Sequence, residues 1–187
     1  MKSLIKYFAM STALLLASFQ AQAALILGGD LFVEEDGEVK VEFLGHTAKF
    51  SNDLYLYVVG DDDQFIFNNH DATVGDMVSL GTDFVAGEEL LFYIFVNNTG
   101  NTFYSGSDAS MNADNILHTM VDYYFTPTQT YVGFEDLLGG GDRDFDDLEF
   151  LFTNVGGGGI RSIPEPSTLM IMSLALLGLV TRRKLQS

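Results

Sequence analysis

Polar and apolar positions alternate with a period of two along the middle of the chain, the pattern of strands half-buried in a sheet. Residues 38–44 are the clearest case: Val39, Val41 and Phe43 fall on one side, Glu38, Lys40 and Glu42 on the other. Residues 53–59 alternate likewise, with Leu54, Leu56 and Val58 opposite Tyr55, Tyr57 and Val59. Gly60-Asp61-Asp62-Asp63 then turns the chain into residues 64–68. That pair predicts a hairpin with an acidic, solvated tip. Residues 25–33 predict an opening strand and residues 77–85 one or two short ones. Residues 88–96 are so continuously apolar, through Leu90-Leu91-Phe92-Tyr93-Ile94-Phe95-Val96, that they predict a central strand covered on both faces.

Beyond Asn97-Asn98-Thr99-Gly100-Asn101 the pattern loosens into a polar loop over residues 105–115. Residues 117–125, 130–135 and 148–155 predict further strands, the last two flanking residues 136–147. Nothing reads as a long amphipathic helix. Many short strands separated by Gly, Asn and Asp predict an all-β domain, an antiparallel β-sandwich of jelly-roll type.

Both ends of the chain break this pattern. Lys2 and Lys6 precede an uncharged, mostly apolar stretch, residues 7–19, and Ala21-Gln22-Ala23 follows as a cleavage site. Residues 1–23 therefore read as a secretory signal peptide removed by signal peptidase at Ala21 and Ala23. At the other end a Gly-rich linker, residues 156–163, leads into Pro164-Glu165-Pro166, an apolar run and the basic tail Arg182-Arg183-Lys184. The prolines break regular structure, residues 168–181 form a short membrane segment, and the cations stop it on the cytoplasmic side. The run is shorter than the roughly 20 residues that span a bilayer core, so taken alone it is a weak anchor. The folded unit is residues 24–155.

Charge narrows the choice of partner. Between Ala24 and Ile163 stand 25 Asp and Glu against Lys40, Lys49, Arg143 and Arg161, a formal charge of −21. Such a domain repels nucleic acid and anionic polysaccharide unless cations intervene, and divalent cations become natural stabilisers. With no cysteine, it has neither disulfides nor a thiolate nucleophile. Phe and Tyr dominate the 13% of aromatic residues and can supply a core.

The candidate chemistry lies in one loop. From Glu135 through Asp136, Asp142, Asp144, Asp146 and Asp147, six carboxylates share one Gly-rich connection. Calcium takes six to eight oxygens at about 2.3–2.6 Å, and short Asp side chains on a flexible loop can supply them. The alternative is a hairpin whose Asp residues cap their own turns and keep a sheet edge soluble. The loop is not an EF-hand: aligning Asp142, Asp144 and Asp146 puts Asp147 at the glycine position and Thr153 at that of the bidentate Glu. Nor does it repeat as calcium β-rolls do.

Two resemblances add to this. Ile163-Pro164-Glu165-Pro166-Ser167-Thr168, the Leu/Met/Gly-rich run and Arg182-Arg183-Lys184 resemble the PEP-CTERM protein-sorting signal of Gram-negative bacteria. The resemblance implies transient anchoring in the inner membrane, processing by an exosortase near Pro164-Glu165-Pro166, and release toward the cell surface or an exopolysaccharide matrix. Val132-Gly133-Phe134-Glu135-Asp136 and Gly140-Gly141-Asp142-Arg143-Asp144-Phe145-Asp146-Asp147-Leu148, with Asn112-Ala113-Asp114 and His118 upstream, resemble a bacterial domain of unknown function, family 4114. That implies a β-rich exported domain with a calcium site and no established activity.

Catalysis has little footing. Glu135 and Glu149 could pose as paired acids of a hydrolase, but nothing fixes their separation, and His46, His70 and His118 lie in no catalytic motif. The expectation is a non-catalytic, calcium-binding surface or matrix protein. The alternative is a carbohydrate-binding module stacking sugars on Tyr55, Tyr57, Tyr104, Tyr123, Tyr124 or Tyr131, without the Trp such modules commonly use.

Overall fold

The structure, a computed structural model, describes residues 25–158. The signal peptide, the later part of the linker, the sorting signal and the short membrane segment lie outside the described residues. Among the described residues no helix is long and apolar enough to cross a membrane.

The described chain is all-β. Its strands are β1 (Ile26–Leu27), β2 (Leu31–Val33), β3 (Gly37–Gly45), β4 (Asn52–Leu56), β5 (Gln64–Asn68), β6 (Met77–Phe84), β7 (Glu89–Leu90), β8 (Phe92–Val96), β9 (Asn101–Tyr104), β10 (Thr119–Thr126), β11 (Gln129–Phe134), β12 (Leu148–Thr153) and β13 (Val155–Gly156). They form a six-stranded sheet in the order β1-β10-β11-β12-β3-β6, a four-stranded sheet β5-β4-β8-β9 and a three-stranded sheet β13-β2-β7. Neighbours pair antiparallel throughout.

The two larger sheets face each other across a core of rings. Phe43 on β3 meets Phe67 on β5, Phe67 stacks on Phe150 of β12, and Phe92 of β8 lies 4.5 Å from Phe152 of β12. Phe43, Phe92, Phe103, Phe134, Phe150 and Phe152 are fully buried. With rings each removing about 150–250 Å² from water, this core can hold a domain that has no disulfide. The small sheet closes one end of the sandwich. β13 follows directly on β12 of the large sheet, and β7 leads through Leu91 into β8 of the other.

Several predicted elements appear almost unchanged. In β3, Val39, Val41 and Phe43 are buried and the intervening residues face outward, and β4 and β5 form the expected hairpin. Others change. The opening strand breaks at Gly28-Gly29: Gly28 adopts φ +65°, and a Cβ on Gly29 would lie 2.3 Å from the Tyr123 hydroxyl. Residues 77–85 give one strand, β6, and β9 appears where no strand was expected.

Residues 88–96 do not form one strand covered on both faces. The chain passes at Leu91 from the small sheet to the four-stranded one, and in β8 only Phe92, Ile94 and Val96 are buried. Tyr93, between them, belongs to an outer aromatic row that reads as apolar in sequence. The linker also begins later than residue 156. Gly156 pairs with Phe32, and a Cβ on Gly158 would lie 2.6 Å from the Phe32 ring. The first glycines therefore pack against the domain.

Candidate metal centre

The acidic loop connects β11 to β12 at one end of the large sheet. Hydrogen bonding carries β11 past its last strand residue, because the Glu135 N–H donates to the His118 carbonyl at 2.9 Å. This draws Glu135 inside, where it is fully buried, and leaves Asp136 only 3% exposed. Gly133 makes room for the returning chain, since a Cβ there would lie 2.1 Å from the Phe145 carbonyl oxygen. Phe145 is buried with φ +56°, two residues after Arg143 at φ +62°. Left-handed backbone at non-glycine residues is uncommon and costs about 1 kcal/mol or more at each. The loop thus holds a conformation that its residues do not prefer.

Backbone amides grip the carboxylates. Glu135 accepts from the Leu137 N–H at 3.3 Å through one oxygen and from the Arg143 N–H at 3.1 Å through the other. Gly141 closes over it at φ +42°, where a Cβ would sit 2.0 Å from Glu135 Oε1. Asp147 accepts from the Asp136 N–H at 2.9 Å, and Asp136 accepts from the Asn52 side-chain amide at 2.7 Å.

Of the six loop carboxylates expected as ligands, the structure brings five together, in two sets that share one member. Glu135, Asp142 and Asp144 form an outer set; Glu135, Asp136 and Asp147 form an inner one. In each set one oxygen per residue lies within 4.8 Å of the others. Two oxygens held 2.3–2.6 Å from a common ion are at most about 5.2 Å apart, so both sets have the spacing of a coordination shell. Asp146 belongs to neither. Its carboxylate accepts from the Thr47 hydroxyl at 2.5 Å and its carbonyl from the Thr47 N–H at 3.0 Å, which ties the loop to the chain beyond β3. The every-second-residue spacing fails there because Phe145, in left-handed backbone, interrupts the alternation of sides.

The electrostatics are those of crowded, uncompensated charge. Burial, and after it the adjacent Asp147 carboxylate, push the Glu135 carboxyl up to about 7. Asp136 is raised as well: burial outweighs the hydrogen bond from Asn52, and Asp147 adds to the rise. At exposed Asp144 desolvation comes first, followed by its neighbours Asp146 and Asp142. Among the described residues the ion pairs within 4.0 Å are Lys40–Glu38 and His118–Asp114, neither of which reaches these carboxylates. Arg143 contributes its backbone N–H.

Three observations fit a hard divalent cation here. The donors are carboxylate oxygens without sulfur or imidazole, which suits calcium. The Gly141 backbone forms a cradle that any side chain would fill. One side-chain oxygen next to the inner set, Asn52 Oδ1, is buried without a hydrogen-bond partner. Asn52 gave no signal in the sequence, where an Asn at a strand start is indistinguishable from a turn residue.

His118 supports the site from behind. Its Nδ1 lies 3.0 Å from the Glu135 carbonyl oxygen and its Nε2 3.0 Å from Asp114 Oδ2. Asp114 also accepts from the Gly139 N–H at 2.7 Å, so one carboxylate joins the polar loop, the histidine and the acidic loop. Burial alone would raise the Asp114 carboxyl, but the Gly139 and Ile116 amides and His118 together hold it below its ordinary value. The other two histidines, with rings 5.5 Å apart, belong to neither carboxylate set.

Other predicted residues scatter. Asp63, expected at a solvated tip, accepts from the Val58 N–H and the Tyr93 hydroxyl. The Tyr123 hydroxyl donates to the Asp30 carbonyl, Tyr131 donates to Glu149, and Tyr124 is exposed on β10. Tyr55, Tyr57 and Tyr104 do gather, joined by Tyr93 and Phe65. Phe65, Tyr55, Tyr93 and Tyr104 are register partners in a row across all four strands of β5-β4-β8-β9. A cleft of about 840 Å³ at the opposite end of the large sheet is lined by Glu34, Glu35, Asp36 and Glu38. The sorting residues Pro164, Glu165 and Pro166, the stop residues Arg182, Arg183 and Lys184, and the cleavage residues Ala21 and Ala23 lie outside the described residues.

Residues 84–154 match the family described as domain of unknown function (DUF4114), and residues 162–184 match the PEP-CTERM protein-sorting motif. The chain thus carries a DUF4114 domain followed by a sorting motif. That motif marks an exported protein, processed by an exosortase and bound for the cell surface of a Gram-negative bacterium. No curated protein and no solved structure matches the chain. The DUF4114 match takes in β7 to β12 and the whole acidic loop, and it leaves out β3 to β5.

Proposed function

We propose that the mature protein is a non-catalytic component of the cell surface or exopolysaccharide matrix, and that calcium bound in the β11–β12 loop stabilises its β-domain. The observation that carries this reading is the convergence of Asp142 and Asp144 on the fully buried Glu135, with no cationic side chain among the described residues to neutralise them. A divalent cation replaces a repulsion by an attraction while Glu135 stays in place, because backbone amides already hold it. Before release the chain is anchored in the inner membrane through residues 168–181, and signal peptidase and the exosortase remove its two ends.

The test is thermal unfolding of the mature protein in calcium and in chelator. A rise of at least about 5 °C with calcium is expected, lost in Asp142→Asn/Asp144→Asn. Equal melting temperatures in calcium and EDTA would overturn the reading. Mass spectrometry of the secreted form checks the topology, with loss of residues 1–23 and of the chain beyond Pro164-Glu165-Pro166 expected.

A second reading rests on the aromatic row. Tyr55 and Tyr93 stack on each other at 5.1 Å with planes 12° apart, so their faces are spent within the row. Phe65 and Tyr57, 53% and 40% exposed, offer free faces at its ends. As a carbohydrate-binding module the domain would use these two rings, with the Asp63 carboxylate, already bonded to the Tyr93 hydroxyl, to accept from sugar hydroxyls. Retention on immobilised polysaccharide, lost in Phe65→Ala/Tyr57→Ala, is the expected result.

A further inference from the structure

The calcium reading above treats the loop as one site, yet its carboxylates form two sets that meet only at Glu135. We propose that the loop holds two calcium ions bridged by Glu135, and that Asn52, on β4 of the opposite sheet, is a ligand of the inner ion. This inference rests on that calcium reading and extends it in stoichiometry and in ligand set.

Charge favours two ions. Glu135, Asp136, Asp142, Asp144 and Asp147 carry five negative charges when ionised, so one calcium leaves a net of −3 in a partly buried place and two leave −1. Geometry allows it. The two oxygens of Glu135 already accept from amides on different stretches of the loop, Leu137 next to the inner set and Arg143 within the outer one. A bridging carboxylate presents one oxygen to each ion.

Asn52 supplies the independent observation. It is fully buried, and its Nδ2 donates to Asp136 Oδ2 at 2.7 Å while its Oδ1 has no partner. A buried carbonyl oxygen left unpaired costs roughly 1–3 kcal/mol. Its backbone is fixed by a reciprocal pair with Asn69: the Asn52 N–H donates to Asn69 Oδ1 at 2.8 Å, and the Asn52 carbonyl accepts from the Asn69 N–H at 3.1 Å. Only the side-chain amide is free to change. Without an ion, its NH₂ end faces the Asp136 carboxylate. With an ion between them, a half-turn of the amide presents Oδ1, and side-chain amide oxygens are ordinary calcium ligands. The inner ion would then join the β11–β12 loop of the six-stranded sheet to β4 of the four-stranded sheet, closing this end of the sandwich as the small sheet closes the other.

The experiment is calorimetric titration of calcium into the chelator-treated mature protein, alongside its Asn52→Ala, Asn52→Asp and Asp142→Asn/Asp144→Asn variants. Two ions per chain are expected. Asn52→Ala should weaken one of them by about tenfold or more, and the outer-set double variant should weaken the other. Asn52→Asp keeps the shape of the side chain and adds a charge, so it should melt lower than wild type in chelator yet bind the inner ion at least as tightly. A merely structural Asn52 would lower both melting temperatures and leave both affinities unchanged, which would overturn its role as a ligand. One ion per chain in the wild type would overturn the two-ion site while sparing the calcium reading. No binding at all would overturn both.

Discussion

The imidazole of His118 lies flat against the ring of Phe103, with centroids 3.9 Å apart and planes 21° from parallel, and both side chains are fully buried. Phe103 is on β9 of the four-stranded sheet, and His118 directly precedes β10 of the six-stranded one. The stack therefore spans the sandwich next to the acidic loop. Through Nδ1 and Nε2 the same ring reaches the Glu135 carbonyl oxygen and the Asp114 carboxylate. It is a packing element on its face and a polar clamp on its edge.

Two substitutions separate these roles. His118→Phe keeps the stack on Phe103 and leaves Glu135 O and Asp114 without the ring; a loss of about 2 kcal/mol in urea unfolding is expected. His118→Ala removes the packing as well and should cost about 3–5 kcal/mol. Equal losses in the two variants would mean that the stack contributes nothing.

The raised Glu135 carboxyl makes stability depend on pH in a definite direction. Its value lies near 4.5 when unfolded and about 7 when folded, so between these the folded state holds more protons. Stability of the calcium-free protein is then highest below about pH 4.5 as far as this group is concerned. It declines as pH rises and levels off above about pH 7. Calcium binds the ionised form, so protons compete with it below pH 7. Melting curves in EDTA should fall by several degrees between pH 5 and pH 8, and the rise caused by calcium should be larger at pH 8. A Glu135→Gln variant should show both trends reduced, with the raised Asp136 carboxyl supplying what remains.

Gly141 and Gly139 provide a matched pair two residues apart. Both have positive φ, +42° and +86°, but a Cβ at 139 meets nothing within 4 Å whereas one at 141 lies 2.0 Å from Glu135 Oε1. Gly139→Ala should cost about 1–2 kcal/mol of backbone strain and leave the response to calcium intact. Gly141→Ala must displace the shared carboxylate, so its calcium-dependent rise in melting temperature should disappear. A normal response in Gly141→Ala would show that Glu135 takes no part in holding the ion.

Legibility in the sequence followed the physics of each segment. Residues 38–44 were readable because one face of β3 meets the core and the other carries charge. Residues 88–96 were misread because Tyr93 is apolar in composition yet sits in an outer row against Tyr55, so a half-buried strand looked like a fully buried one. β9 was missed because only Phe103 of its residues faces the core. The cluster of loop carboxylates was legible from density alone. Its division into two sets was not, since that depends on left-handed backbone at Arg143 and Phe145, which turns Asp146 toward Thr47. Asn52 could not be found at all, because its meaning lies in a contact 84 residues away.

Asn154 tests how the small sheet is joined to the large one. It stands between β12 and β13 at φ +65°, where the chain crosses from the six-stranded to the three-stranded sheet. Its Nδ2 donates to the carbonyls of Glu35 at 2.8 Å and Glu38 at 3.2 Å, and its Oδ1 accepts from the Glu35 N–H at 2.9 Å. Asn is the side chain that both tolerates left-handed backbone and can offer a donor and an acceptor to the β2–β3 turn. Asn154→Gly relieves the backbone but loses three hydrogen bonds, and about 2 kcal/mol of destabilisation is expected. Asn154→Ala loses the same bonds and adds the left-handed penalty, for about 3–4 kcal/mol in all. Urea unfolding of both variants resolves the two contributions. If Ala proves no worse than Gly, the backbone at 154 relaxes on substitution and the turn, not the crossing, is what Asn154 secures.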